Sequence, residues 1–246
     1  MYSPFDEELF KDPLWSLDSK TLLEEKTDNW DYVVESLKVK TNRNIKHFKS
    51  YILRVKVPGV HKDIPEIPEG THKVTLVNVS QKNIKPFPKS VFVLRIRNTN
   101  KDEKISKIPK IVNSNITELF IDTSLKSTSN IKYLSKLKYF YTENTGVTKF
   151  NFSQGPNIDQ AIMLVSDLKR SPSNFPESLK SLVLDKHSEM KKVDTSNLPN
   201  LKELIVDNVN KAYKPVHPGK GIRFYYNGSL FKPSSTTSKK AKKVVK

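Results

Sequence analysis

The sequence predicts an α/β repeat protein: a solenoid of stacked strand-and-loop units, opened by an N-terminal α+β cap. Three observations carry this reading. A frame of the form apolar-x-x-apolar-x-apolar recurs every 20 to 25 residues between Thr71 and Asn227. A proline precedes six of the eight frames at nearly the same phase. One opening is written twice, as Phe87-Pro88-Lys89-Ser90 and as Phe175-Pro176-Glu177-Ser178. A strand-and-loop unit of about 20 residues cannot bury its own apolar side, so such units are stable only when stacked. Each frame then forms one rung of a shared core, and the two ends need caps.

Residues 1–64 are expected to form the N-terminal cap. Residues 1–13 read as an irregular arm. From Leu14 to Val39 the pattern predicts a helix, because Leu23, Trp30, Val33, Val34 and Leu37 fall at steps of seven, three and four. Asp18 or Ser19 would cap its start. Tyr51 to Val57 alternates as a strand does, and Pro58-Gly59 closes it.

The solenoid is expected over residues 65–231. Its frames are Thr71-Val74-Leu76, Val91-Leu94-Ile96, Ile116-Leu119-Ile121, Leu137-Phe140-Thr142, Ile158-Ala161-Met163, Leu179-Leu182-Leu184, Leu201-Leu204-Val206 and Ile222-Tyr225-Asn227. Pro68, Pro88, Pro156, Pro176, Pro199 and Pro218 lie two to four residues before a frame. Proline fixes φ and donates nothing to a ladder, so it suits a strand's entry rather than its centre. Gly221 to Phe231 would finish the far end. Residues 232–246, KPSSTTSKKAKKVVK, are low-complexity and expected to be disordered.

Charge narrows the function classes. The 246 residues carry 43 lysines and arginines against 26 acids, a formal charge of +17. Only six of the cations are arginines, the residue suited to bidentate base and phosphate recognition. Such a balance points to general attraction for polyanions rather than sequence reading. Residues 1–38 are acidic, with ten acids and four lysines, while the tail has six lysines and no acid. The absence of cysteine excludes disulfides, cysteine-based zinc sites and thiol catalysis. The five histidines do not form metal-ligand spacings, and no glycine-rich phosphate loop occurs. The expectation is therefore a non-enzyme with no cofactor and no metal. The start has acids where a secretory leader needs a basic and then an apolar run. No stretch approaches the roughly 20 apolar residues of a membrane span. The chain reads as intracellular, in the cytoplasm, the nucleus or a virus particle.

The runs Leu179-x-x-Leu182-x-Leu184 and Leu201-x-x-Leu204-x-Val206 resemble leucine-rich repeats, and the resemblance covers about residues 65–228. The Pro-x-Ser-Leu-x-x-Leu phrase from Pro176 is similar to FNIP-type repeats. The resemblance implies a curved solenoid with one short parallel strand per repeat on the concave side. The family places asparagine three residues after the last strand leucine. Here that place holds Val79, Thr99, Ser124, Thr145, His187 and Val209, which marks an irregular member.

Alternation within each strand assigns a candidate binding face. Residues between the second and third frame positions give one ladder: Thr75, Arg95, Phe120, Tyr141, Ile162, Val183, Ile205 and Tyr226. Residues after the third position give another: Val77, Arg97, Asp122, Glu143, Leu164, Asp185, Asp207 and Gly228. An apolar, aromatic stripe beside an acidic row is the least expected local feature of so basic a chain. Phe120, Tyr141, Ile205 and Tyr226, with Asp122, Glu143, Asp185 and Asp207, are the expected contacts for a protein partner bearing apolar and basic side chains. Arg95, Arg97, Lys239, Lys240, Lys242 and Lys243 are the expected polyanion contacts. They support the competing expectation of a nucleic-acid-associated protein that acts through its lysine-rich surface and tail.

Overall fold

Each frame builds a strand of four or five residues, and the loops between frames return the chain to start the next strand alongside. In the computed structural model the described residues are 18–26, 30–40, 45–56, 65–84, 86–98, 105, 107–110, 115–123, 125, 127–143, 152, 155–165, 174–186, 193–208, 218–219 and 221–231. The N-terminal strands are β1 (Asp18–Lys26), β2 (Trp30–Lys40) and β3 (Ile45–Val55). The rungs are β4 (Lys73–Val77), β5 (Val93–Arg97), β6 (Glu118–Asp122), β7 (Tyr139–Glu143), β8 (Ala161–Val165), β9 (Ser181–Asp185), β10 (Glu203–Asp207) and β11 (Arg223–Tyr226). A short β12 (Ser229–Leu230) ends the described chain. All twelve lie in one sheet in chain order. From β3 to β11 every neighbour is parallel, while β1–β2, β2–β3 and β11–β12 are antiparallel.

The molecule is thus a mostly-strand parallel β-solenoid and is nearly free of helix. The only helical turns among the described residues are 3-10 turns at Gln81–Asn83 and Ser129–Tyr133. Two expectations are corrected. The class is a strand solenoid rather than α/β. The helix expected over Leu14–Val39 is two strands, β1 and β2, across the described residues 18–26 and 30–40. Its apparent helical face divides between the two sides of a sheet. Trp30 and Val34 are buried in the core, paired with Val55 and Tyr51. Leu23 lies on β1, just past a register shift between Thr21 and Leu23, and is 50% exposed. The expected arm at 1–13, the Pro58-Gly59 turn and the tail lie outside the described residues.

The register builds two files of core residues on one side of the sheet. One runs Tyr51, Val74, Leu94, Leu119, Phe140, Ile162, Leu182, Leu204 and Phe224, and the other runs Leu53, Leu76, Ile96, Ile121, Thr142, Leu164, Leu184, Val206 and Tyr226. Both files join the main core except at Thr142, which is buried at its place but is not apolar. Six template frames match these files. The fifth and eighth are one residue out: Ile162 and Leu164 hold the core in β8, and Phe224 and Tyr226 hold it in β11.

The repeated Phe-Pro-x-Ser opening also has a physical account. Val91 N–H donates to the Pro88 carbonyl and Leu179 N–H to the Pro176 carbonyl, each at 3.0 Å, so the proline begins a tight turn into the strand. The serine hydroxyls bind the preceding rung: Ser90 Oγ donates to the Thr71 carbonyl at 2.7 Å, and Ser178 Oγ to the Ile158 carbonyl at 3.1 Å. Asn115 and Asn200, one residue before their own frames, do the same to the Lys89 and Glu177 carbonyls. The phenylalanine fills the loop side of the core. Phe175 stacks on Phe152 at 5.3 Å, and Phe152 meets Phe140 edge-on at 6.0 Å.

Candidate partner-binding face

The face opposite the main core holds the other residues of each strand. Strand alternation and parallel register align them as three files, each with one residue per rung. The middle file reads Ile52, Thr75, Arg95, Phe120, Tyr141, Met163, Val183, Ile205 and Tyr225. The file at the strand ends reads Arg54, Val77, Arg97, Asp122, Glu143, Val165, Asp185 and Asp207.

Phe120, Tyr141 and Ile205 therefore stand on this face, in the expected ladder, as do all four carboxylates. Tyr226 does not: it pairs with Val206 and packs against the main core, and Tyr225 takes the ladder place beside Ile205. Ile162 and Leu164 likewise belong to the core, and Met163 occupies the ladder. Gly228 sits in the β11–β12 turn at φ +76° and donates its N–H to Asp207 Oδ1 at 2.8 Å. Strand alternation fixed the face, but an all-apolar strand such as Ala161–Val165 gave no parity, and Tyr225-Tyr226 offers the same side chain twice.

The face changes along its length. Val183 and Ile205 are only 3% and 2% exposed and form a small cluster with Met163 and Tyr225. Phe120, Tyr141 and Met163 are half-buried. The accessible part of the stripe is thus its middle, around β6 to β8. There Phe120 and Tyr141 lie 5.7 Å apart in a tilted pair, and the Arg95 guanidinium sits 4.6 Å over the Phe120 ring. Such a cation–ring contact holds the arginine against the stripe. At the strand starts, Phe48, His72 and Phe92 pack edge to face around Val93, a group that the repeat pattern does not reveal.

The carboxylate row is held in place by its neighbours. Arg97 Nε lies 3.1 Å from Asp122 Oδ2, and Lys186 Nζ lies 3.8 Å from Glu143 Oε1. The Tyr141 hydroxyl donates to Glu143 Oε2 at 2.7 Å. Burial, that hydrogen bond and the charges of Glu143, Asp122 and Asp185 raise the Tyr141 phenol well above its usual pKa, so it stays a donor. Asn208 Nδ2 donates to Asp185 Oδ1 at 2.7 Å. Burial raises the pKa of Asp207 and the Asp185 charge adds to it, while backbone N–H groups of Gly228 and Asn227 pull the other way.

Several of the turns that follow these strands adopt the left-handed conformation, at Asn78, Lys186, Asn208 and Asn227, with φ between 46° and 61°. Asparagine tolerates this region better than most side chains do. The family's asparagine place three residues past the strand leucine is not occupied, but an asparagine two residues past the last core residue recurs at 78, 98, 144 and 208. That spacing was the available sequence signal for the turn.

Arg95 and Arg97 are adjacent face positions on β5, and Lys239, Lys240, Lys242 and Lys243 lie outside the described residues. Among the described residues no group of three or more histidines, aspartates or glutamates is placed to hold a metal ion. No helix among them is long and apolar enough to cross a membrane. No protein-family model, curated protein or solved structure matches the chain.

Proposed function

We propose that this chain is a non-enzymatic interaction module, an irregular leucine-rich type of solenoid. It binds a protein partner on the sheet face opposite the main core. The observation that supports this best is the continuous file Phe120–Tyr141–Met163 beside Asp122 and Glu143, an apolar stripe with an acidic border in a chain of charge +17. The partner is a segment that presents apolar side chains to the stripe and lysine or arginine to the border. Half-buried aromatics next to fixed carboxylates are the kind of position where a few residues carry most of an interface's energy.

The test is affinity purification from native cells with and without nuclease, followed by reconstitution with the purified partner. The variant is Phe120→Lys with Tyr141→Lys. Ile205 is left alone, because at 2% exposure a lysine there would disrupt the fold itself. The expected partner survives nuclease, binds the folded wild type, is lost in the double variant and binds more weakly when Asp122 and Glu143 become Asn and Gln. A partner indifferent to all four changes overturns the reading. The second reading, a nucleic-acid-associated protein acting through surface lysines and the tail, is favoured by the net charge and by the tail's six lysines. It requires capture that nuclease abolishes and that falls steeply with salt.

A further inference from the structure

The turn between β11 and β12 has a plain structural role. Tyr226 pairs with Ser229, so the loop that joins the strands is Asn227-Gly228. Both residues have positive φ, 46° and 76°, as a tight antiparallel turn of this hand requires. That requirement accounts for the dipeptide. It does not call for the contacts that the turn makes with the end of β10. Gly228 N–H donates to Asp207 Oδ1 at 2.8 Å. Asn208 N–H donates to Asn227 Oδ1 at 3.1 Å.

Asn-Gly is also a reactive pair. The backbone nitrogen that follows an asparagine can attack the side-chain carbonyl carbon and close a cyclic imide, and glycine leaves that approach clear of a side chain. Asn227 is the only asparagine of the chain followed by glycine. Here each reacting group already meets the partner that the reaction needs. The nucleophile is the Gly228 nitrogen, and its proton points at a carboxylate. That hydrogen bond lies in the peptide plane, whereas attack uses the electron pair perpendicular to it, so base and electrophile do not compete for position. The electrophile is Asn227 Cγ. Its oxygen becomes negative during attack, and the Asn208 N–H is aimed at that oxygen. Burial and the Asp185 charge on balance raise the pKa of Asp207, which makes it a stronger base than an exposed aspartate. Asn227, Gly228 and Ser229 are exposed, and a Cβ placed on Gly228 would meet nothing within 4 Å. The turn therefore has room to move, and water reaches it.

We propose that Asn227-Gly228 is a self-modifying site, where Asp207 and Asn208 promote closure of the Asn227 side chain onto the Gly228 nitrogen and its conversion to aspartate and isoaspartate. The bond from the Gly228 nitrogen to Asn227 Cγ forms as the Gly228 proton passes to Asp207. The Cγ–Nδ2 bond then breaks, and ammonia leaves with that proton. Water opens the imide: attack at Cγ gives aspartate, and attack at the main-chain carbonyl of residue 227 gives isoaspartate. Nothing is oxidised or reduced. Isoaspartate routes the main chain through the side chain and lengthens it by one carbon. Beyond β12, Phe231 N–H donates to the Phe224 carbonyl at 2.7 Å, and the two rings lie 5.3 Å apart against the main core. An extra backbone atom ahead of β12 puts this closure out of step. The modification therefore loosens the far end of the solenoid and adds a negative charge beside Asp207. It does not rest on partner binding.

The full-length protein is held at neutral pH, folded in buffer and unfolded in urea, and sampled over time. Proteolysis with mass spectrometry follows residue 227, and an isoaspartate-specific methyltransferase counts the isomerised product. Folding ordinarily slows this reaction, because it fixes the backbone. Here the folded chain is expected to convert Asn227 at least about tenfold faster than the same chain in urea, less than a well-placed base supplies in an enzyme. Folded Asp207→Asn, checked by circular dichroism, is expected to fall to the urea rate or below, while the two chains react alike in urea. Converted protein is expected to exchange the Phe231 amide faster than unconverted protein. A folded wild type no faster than the unfolded chain would overturn the proposal, and that comparison needs no variant. An Asp207→Asn protein that keeps or exceeds the wild-type rate would overturn it too, since Asp207 would then only staple the turn.

Discussion

Neighbouring residues Ile162 and Met163 give opposite expectations under the observed register and under the repeat template, and truncating each decides between them. Ile162 is fully buried between Phe140 and Leu182 in a core file. Ile162→Ala removes three carbons at about 0.8 kcal/mol each, and the cavity left behind adds to this, for about 3 to 4 kcal/mol. Met163 is half-buried on the other face, between Tyr141 and Val183. Met163→Ala gives up a similar side chain from a site that keeps part of its hydration, and about 1 kcal/mol is expected. A urea slope of about 3 kcal/mol per molar, the upper end for domains, converts these into midpoint shifts of about 1 M and about 0.3 M. Urea unfolding followed by circular dichroism measures both, and amide exchange in β8 shows whether a loss is local or carried along the stack. A one-residue slip reverses the faces and with them the ranking. If Met163→Ala costs as much as Ile162→Ala or more, the file assignment in β8 is wrong, and with it the middle of the proposed binding face.

Two further outcomes follow from buried polar groups. Thr142 stands fully buried between Ile121 and Leu164, and its hydroxyl has no hydrogen-bond partner among the described residues. Thr142→Val is therefore expected to stabilise the fold by about 1 kcal/mol, and an unchanged or lower urea midpoint would refute the reading of that site. His72 Nδ1 accepts the Lys49 backbone N–H at 3.1 Å, and burial followed by the Lys49 charge lowers the imidazole pKa from 6.5. The stability held there is present above the ordinary histidine pKa and is lost as pH falls through the depressed one. The urea midpoint should drop as the solution is acidified below the ordinary histidine range, and His72→Gln should remove most of that drop. An identical pH profile in the variant would assign the effect elsewhere.

What could be read from the sequence was whatever repeats. Period and phase located the core at Leu94, Leu119, Leu182 and Leu204 because each rung meets the same requirement as the one before it. The proline turns and the carboxylates of Asp122 to Asp207 were legible for the same reason. The cap was not. Trp30 to Val39 is apolar on both parities, so its spacing fits a helix as well as a strand, and pairing with β3 decides the matter. The parity of Ala161–Val165 and of Tyr225-Tyr226 was hidden likewise, since no polar residue marks the outward side. Cross-strand neighbours far apart in sequence settle such choices, and local pattern contains no record of them.

The sheet face changes sign at a seam. Arg54, Arg95 and Arg97 lie on β3 and β5, Asp122 to Asp207 lie on β6 to β10, and the Arg97–Asp122 contact joins the two fields. Rungs about 4.8 Å apart and an extended chain rising about 3.3 Å per residue come nearly into step every two rungs and three residues. A segment lying across the rungs with cations at one end can match the acidic field in one sense only, since reversal sets its charge on the arginines. The sheet face is therefore a polar track, and under the proposed partner binding a segment docks on it in one sense only.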